Sequence, residues 1–327
     1  MSQRRVGILG LGAHVPEKIL TNFELEKIVD TTDEWIRTRT GIRERRIAEK
    51  GIPTSELAAK AALEALTSAQ VKPTDLDLII LATVSPDMLF PATACIVQNK
   101  IGARCPAFDL SAACSGFPYG LAIAECLIRS GTYGRILLIG AEVLSGFINW
   151  KDRSTCVLFG DGAGAAVLGE TGDGHGILST YLGADGNQAK LLQVPAGGSA
   201  IPTSAASVEA GLHYVQMEGS EIFKAAVRTM SEAIVQVLKK AEMKIEDIDC
   251  LIPHQANLRI LNAVSERTGI PIEKVFINLD RYGNMSAAST AVALYEAVKE
   301  KKVVPGSNVV LVAFGSGLTW AACTIRW

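Results

Sequence analysis

A charge imbalance is the first thing this chain lacks: 32 Lys and Arg stand against 34 Asp and Glu, a formal net charge of −2. That balance gives no polyanion-binding signal and no pull towards anionic membranes, so neither nucleic acid nor a membrane is expected as a partner. No apolar run approaches the roughly 18 residues that cross a bilayer. The early Val6 to Leu11 run is short and broken by glycine, then by His14 and Pro16, and reads as a first buried strand rather than a secretory leader. CxxC pairs and metal-ligand spacings are missing too. The seven cysteines, at 95, 105, 114, 126, 156, 250 and 323, are odd in number and scattered, a pattern that fits a reduced cytoplasmic protein with no metal site. Nucleotide loops are also absent. Gly7, Gly10 and Gly12 are spaced GxxGxG rather than GxGxxG, and Val157 to Gly169 has no Lys and no Ser to cradle a phosphate, so its glycines are expected to let backbones pass closely.

What is present is strands alternating with helices over 327 residues, long for one core and comfortable for two. The pattern predicts helices over 21–29, 32–39 and 54–69, the first two with Thr caps, and one from Phe90-Pro91 to Lys100. Buried strands are expected over 76–84 and 135–140. A second half, 172–327, repeats the first, 1–171. A long amphipathic helix covers 218–241. The 247–252 strand matches 75–80, and 276–279 leading into Asn284 and a helix from Ala287 matches 108–110 leading into Cys114. Likewise 309–314 matches 136–139, and 319–325 matches 163–168. One βα arrangement used twice is simpler than two unrelated domains, and it sets Cys114 and Asn284 at facing helix starts.

Cys114, in Ala-Ala-Cys-Ser-Gly-Phe, is placed where a strand ends and a helix over 121–128 begins. There the helix dipole and unpaired N–H groups favour thiolate, although a small core cysteine would read the same way. His254, in Pro-His-Gln-Ala-Asn-Leu-Arg, directly follows a buried strand, where side chains line clefts. It is one of four histidines. Asn284, in Gly-Asn-Met-Ser-Ala-Ala-Ser, would alone be a helix cap. Together Cys, His and Asn suit either a protease triad or a condensing site, where a thiolate carries an acyl group and His and Asn donate to an enolate. The duplicated α/β core argues against the protease.

Those three motifs, with Asp-Glu-Trp-Ile-Arg-Thr-Arg-Thr-Gly-Ile at 33–42 and Phe-Gly-Asp-Gly-Ala-Gly-Ala-Ala at 159–166, resemble the β-ketoacyl-acyl carrier protein synthase III family over residues 5–326. The resemblance implies a duplicated, five-layered αβαβα thiolase-like fold and a homodimer. It also implies decarboxylating condensation of a short acyl-CoA, typically acetyl-CoA, with malonyl-acyl carrier protein, starting fatty acid synthesis without a cofactor, acyl-CoA being a substrate. By motif, Cys114 is the acylated nucleophile, and His254 and Asn284 promote decarboxylation. The backbone N–H groups of Cys114 and Ser316 form the oxyanion hole, with Ser316 standing where many relatives have glycine. Trp35, Arg39 and Arg153 match positions that hold the adenine and phosphates of CoA. Asn257 and Phe223 match positions along the pantetheine tunnel. Gln255, Arg259, Lys224 and Arg228 match a carrier-protein patch, and Phe90 a position reaching the partner's acyl pocket. Alternatives are a longer or branched starter, another acceptor, a non-catalytic acyl-CoA or carrier-protein binder, and thiolase-type cleavage, against which Gly315-Ser316-Gly317 offers no second cysteine.

Overall fold

The computed structural model describes residues 5–172 and 174–327. In chain order the first half holds β1 (Arg5–His14), β2 (Ile19–Thr21), α1 (Asn22–Leu25), α2 (Asp33–Thr40), β3 (Glu44–Arg46), α3 (Thr54–Ala69), β4 (Leu78–Ala82), α4 (Thr93–Ile101), β5 (Ala107–Leu110), α5 (Gly116–Arg129), β6 (Ile136–Glu142), α6 (Arg153–Cys156) and β7 (Gly162–Thr171). The second holds β8 (Gly176–Ala184), β9 (Leu192–Gln193), α7 (Ala205–Glu209), β10 (Gln216–Met217), α8 (Gly219–Lys240), β11 (Cys250–Pro253), α9 (Leu258–Thr268), α10 (Leu279–Tyr282), α11 (Ala287–Lys299), β12 (Asn308–Gly315) and β13 (Thr319–Arg326).

Two sheets carry the architecture. One runs β1-β7-β6-β4-β5, the other β11-β12-β13-β8. In the first, β4 is parallel to β5 and β6, and β7 is antiparallel to β6 and β1. The second repeats this: β11 is parallel to β12, and β13 is antiparallel to β12 and β8. The expected fifth strand over 276–279 shrinks to a single bridge, Leu251 to Val275. There Gln255 inserts its side chain beside the backbone, donating to the Phe276 carbonyl at 3.0 Å and accepting from Asn278 N–H at 3.0 Å, and these bonds replace a ladder.

Side-chain alternation sorts the sheets into layers. Leu78 and Ile80 of β4 and Ile136 and Leu138 of β6 face one way, into a core shared with Phe117 and Leu121 of α5, Leu294 of α11, and Val309 and Leu311 of β12. Ile79, Leu81, Leu137 and Ile139 face the other way, onto α3 and α4. Val310 and Val312 of β12 turn outward onto α8 and α9. The order is therefore helices, sheet, α5 with α11, sheet, helices. Strands buried on both faces read as continuous apolar runs for this reason.

Small residues bring the middle layer close. A Cβ on Gly164 of β7 would lie 2.6 Å from that of Ala291, and one on Gly140 of β6 would lie 2.5 Å from the Ala287 carbonyl oxygen. Gly10 and Gly12 of β1 do the same for α3, with added Cβ atoms 2.4 Å and 2.3 Å from its backbone. Their GxxGxG spacing thus serves helix packing rather than a nucleotide. The element from Phe90 begins later than expected, at Thr93, because Asp109 accepts from the N–H groups of Thr93 and Ala94 at 2.7 Å and fixes the helix start there. The first predicted helix is also short: Thr21 caps it in a capping box, and it ends at Leu25. Among the described residues no helix is long and apolar enough to cross a membrane.

Candidate active site

The segments that follow β5 and β11 and the end of β12 meet at one cavity, where they place Cys114, His254 and Gly315. After β5 comes a 3-10 turn, Ala113–Ser115, with Cys114 at its centre, before α5 begins. Directly after β11 stands His254, its N–H bonded to the Val312 carbonyl of β12 at 2.7 Å. The Gly315-Ser316-Gly317 turn starts at the last residue of β12. Asn284, in the second half like His254, stands in the turn between α10 and α11. Its backbone is tied to both Leu158 and Gly160, and its Oδ1 accepts from Ser286 N–H at 2.8 Å, so the amide NH2 is the end left to act as a donor. The helix cap is Ser286, not Asn284. An added Cβ on Gly116 would come within 3.4 Å of the Ala287 Cβ, so the starts of α5 and α11 face each other as the internal repeat predicts. Both approaches hold one residue at left-handed φ, Ala113 at 47° and Ser286 at 46°. Such positions cost on the order of 1–3 kcal/mol each and persist only where surrounding structure enforces them.

Cys114, His254 and Asn284 are all buried and line a single cavity of ≈ 540 Å³. Burial governs their chemistry. It pushes the Cys114 thiol up to about 12, with the Glu142 carboxylate adding to the rise and the Ser286 hydroxyl opposing it. It pulls the His254 imidazole down to about 3. The expected resting thiolate is therefore corrected: at neutral pH the pair is thiol and neutral imidazole, because desolvation outweighs the helix-dipole preference. A buried His254 Nδ1 has no hydrogen-bond partner among the described residues.

Glu142, at the end of β6, is the residue near this centre that sequence reasoning missed. Its carboxylate accepts from Thr83 Oγ1 at 3.1 Å, from Ser85 Oγ at 2.6 Å, and from the N–H groups of Val84 and Ser85 at 3.1 Å. Burial raises its pKa. An acid closing a fully apolar strand, Ile-Leu-Leu-Ile-Gly-Ala-Glu, was the available signal, since buried carboxylates occur almost only where donors surround them.

A second network braces the segments around Cys114 and Ser316. Thr319 Oγ1 lies 2.9 Å from the Ala112 carbonyl and 3.0 Å from the Ser316 carbonyl, its one proton shared between them, and it accepts from Ser115 Oγ at 2.8 Å. Gly315 lies against Cys114, where an added Cβ would be 2.6 Å from its backbone nitrogen.

The mouth of the cavity is built by two helices. Thr32 caps α2 through Trp35 N–H at 3.1 Å, and Gly41 ends it at φ 82°, where a Cβ would strike Leu258 at the start of α9. Trp35 and Arg39 therefore share the cavity with Asn257 and Arg259. Asn257 caps α9, its Oδ1 accepting from Arg259 N–H at 2.9 Å. Arg153 stands outside the lining, its guanidinium 4.8 Å over the Trp35 ring, and Arg259 sits 5.6 Å over the Phe223 ring. Lys224 lines the mouth on α8, paired with Glu221 at 2.8 Å, and Arg228 is exposed one turn on.

One expectation changes. Gln255 is 1% exposed and commits its amide to Pro253, Phe276 and Asn278, so it braces the His254 loop and cannot meet a carrier protein. Phe90 is 83% exposed and does not line either cavity beside Cys114. A smaller cavity of ≈ 200 Å³ opens beside Cys114 and Ser316, walled by Val84, Leu144, Phe147, Val194 and Val215.

Known proteins resemble this chain along nearly its whole length. Residues 108–186 match the family model described as 3-oxoacyl-[acyl-carrier-protein] synthase III, and 238–327 match its C-terminal model. The chain is similar to the beta-ketoacyl-[acyl-carrier-protein] synthase III of Caldanaerobacter subterraneus, 58% identical over 98% of this chain and 97% of that one. That of Clostridioides difficile is 55% identical over 99% and 98%. A solved 3-oxoacyl-[acyl-carrier-protein] synthase III from Aquifex aeolicus superposes with a TM-score of 0.91 at 50% identity, covering 98% of this chain and 100% of that one.

Proposed function

The chain belongs to the 3-oxoacyl-[acyl-carrier-protein] synthase III family, and from that premise we propose that it joins a short acyl group from acyl-CoA to malonyl-acyl carrier protein, the step that initiates fatty acid synthesis. The convergence of Cys114, His254 and Asn284 on one buried cavity, with Trp35 and Arg39 at its mouth, carries this reading.

In the first half-reaction the Cys114 sulfur attacks the thioester carbon and its proton leaves, by way of the His254 imidazole, with the departing CoA thiol. A neutral imidazole is the form able to take that proton. The backbone N–H groups of Cys114 and Ser316 face the carbonyl oxygen as negative charge develops. In the second, the malonyl carboxylate leaves as CO2 and its electron pair passes to the thioester oxygen. His254 and Asn284 donate hydrogen bonds there. The enolate carbon then attacks the acyl-Cys114 carbon, and the released thiolate is reprotonated. Nothing in this sequence calls for a metal or an organic cofactor.

Trp35, Arg39 and Arg153 suit an adenine and phosphates, since a planar guanidinium both stacks on rings and pairs with phosphate. Asn257 and Phe223 suit the pantetheine arm. Lys224, Arg228 and Arg259 form the basic edge for an acidic carrier protein. A homodimer is supported by contiguous exposed apolar residues, Met88, Leu89 at 78% and Phe90, and by the exposed Phe108 on β5, which ends its sheet among the described strands. The exposed Phe90 would then enter the other copy. The halves 1–171 and 172–327 act as one catalytic unit, and the enzyme works in the cytoplasm.

The ≈ 200 Å³ cavity favours a second, narrower reading of the starter. An apolar cavity of about 150 Å³ holds a guest of benzene's size, so acyl groups up to about six carbons fit, branched ones included. Steady-state condensation with acetyl-, isobutyryl- and octanoyl-CoA tests both. Turnover with either short starter is expected, and a strong preference for octanoyl-CoA, or no 3-oxoacyl product from any of them, overturns the assignment.

A further inference from the structure

We propose that the Ser316 hydroxyl is a specificity-determining clamp that ties the oxyanion-hole turn to the wall of the acyl cavity and so limits the bulk of the starter. The inference rests on the condensing reading above.

The Ser316 Oγ donates a hydrogen bond to the Leu192 carbonyl, 124 residues away in sequence. Leu192 begins a strap, Leu192 to Val194, that walls the ≈ 200 Å³ cavity beside Cys114, and the Leu192 side chain also borders the larger cavity. This strap is thin: β9 has two residues and pairs only with the two of β10 among the described strands. Its N-terminal end is pinned by the mutual backbone bonds of Asp185 and Leu318, both 2.8 Å, and by Glu218 N–H to the Leu191 carbonyl at 2.8 Å. Over the stretch that meets an acyl chain, the two-residue β10 pairing is the strap's ladder among the described strands. At that stretch the Ser316 hydroxyl holds the strap to a turn that is itself fixed, through Thr319, to the Cys114 segment. One hydroxyl thereby couples the residue offering an oxyanion donor to the surface that measures the acyl group. Glycine at 316 would keep the N–H and lose the tie.

The test is competition between acetyl-CoA and isobutyryl-CoA for Cys114, read as the ratio of the two adducts by intact mass at early times. Ser316→Ala removes the hydroxyl and keeps the Cβ. Ser316→Gly removes both and serves should the alanine variant not fold. Ser316→Thr keeps the hydroxyl. Loss of one hydrogen bond is expected to move the ratio towards isobutyryl about three- to tenfold in the first two variants, while Ser316→Thr stays with the wild type. Amide exchange over 191–194 is expected to quicken in the same two variants and not in the third. An unchanged ratio in Ser316→Ala or Ser316→Gly, or a shift shared by Ser316→Thr, overturns the clamp. Wild-type protein that takes up neither acyl group refutes the condensing reading instead, so the two failures are separable.

Discussion

Gly315→Ala tests the oxyanion hole through backbone geometry alone. A Cβ at 315 would sit 2.6 Å from the Cys114 nitrogen, 3.1 Å from the Ala113 Cβ and 3.2 Å from the Cys114 Cα, where ordinary contact begins at 3.4 Å. The first obstacle is backbone, held by Ser115 and Thr319, so it does not swing aside as a side chain does. Relief requires 0.8 Å of separation between the two segments that carry the proposed donors. A donor displaced that far leaves the 2.7–3.1 Å range in which it stabilises an oxyanion, and losing one donor costs about 2.7–4 kcal/mol of barrier, or roughly 100- to 1000-fold in rate. Overpacking adds about 1–3 kcal/mol of destabilisation. The assay is the single-turnover rate of Cys114 acylation by acetyl-CoA, with a thermal melt in parallel. A fall in acylation far beyond what the melt explains is expected. Acylation at the wild-type rate would refute the claim that this turn supplies the hole.

Four further outcomes follow from the same structure. His254→Ala and Asn284→Ala each remove one enolate donor, so CO2 release from malonyl-acyl carrier protein should drop roughly 100- to 1000-fold. In Asn284→Ala acetylation of Cys114 should persist, and equal loss of both half-reactions would contradict the division of roles. The buried thiol predicts that alkylation of Cys114, followed by peptide mapping, rises about tenfold per pH unit from pH 7 to 9.5, whereas a plateau below pH 8 would indicate a stabilised thiolate. Because the folded His254 pKa is depressed to about 3, its stabilisation is intact above the unfolded value near 6.5 and is lost as pH falls towards 3. Wild type should therefore lose up to about 1.4 kcal/mol per pH unit against His254→Asn below pH 6.5, measured by denaturant melts. Trp35→Ala should raise KM for acyl-CoA several-fold, about 0.5–1.5 kcal/mol of stacking, and leave KM for the malonyl substrate nearly unchanged.

Much of the architecture was legible because β4, β6, β11 and β12 are buried on both faces and so appear as unbroken apolar runs in the same order twice. Helix α3 was legible to its last residue, since its apolar positions recur at helical spacing. The strand over 276–279 was not, because its partner edge is taken by the Gln255 amide, a tertiary contact with no local signature. That Cys114, His254 and Asn284 come together could be read from their motifs. Their protonation states could not, because desolvation depends on what the other half of the chain packs over them. Gln255 misled for the same reason: polar and next to His254, it looked like surface, yet it serves the backbone. Glu142 was overlooked because its donors lie 57 to 145 residues away.

The central claim is that Cys114 carries the acyl group between two half-reactions in one site. Intact-protein mass after incubation with acetyl-CoA or isobutyryl-CoA, followed by malonyl-acyl carrier protein, tests it most directly. The account predicts one acyl adduct on the wild type, none on Cys114→Ala, and discharge of the adduct by the malonyl substrate with a 3-oxoacyl product. An adduct that survives in Cys114→Ala, or one that the malonyl substrate leaves in place, would contradict it.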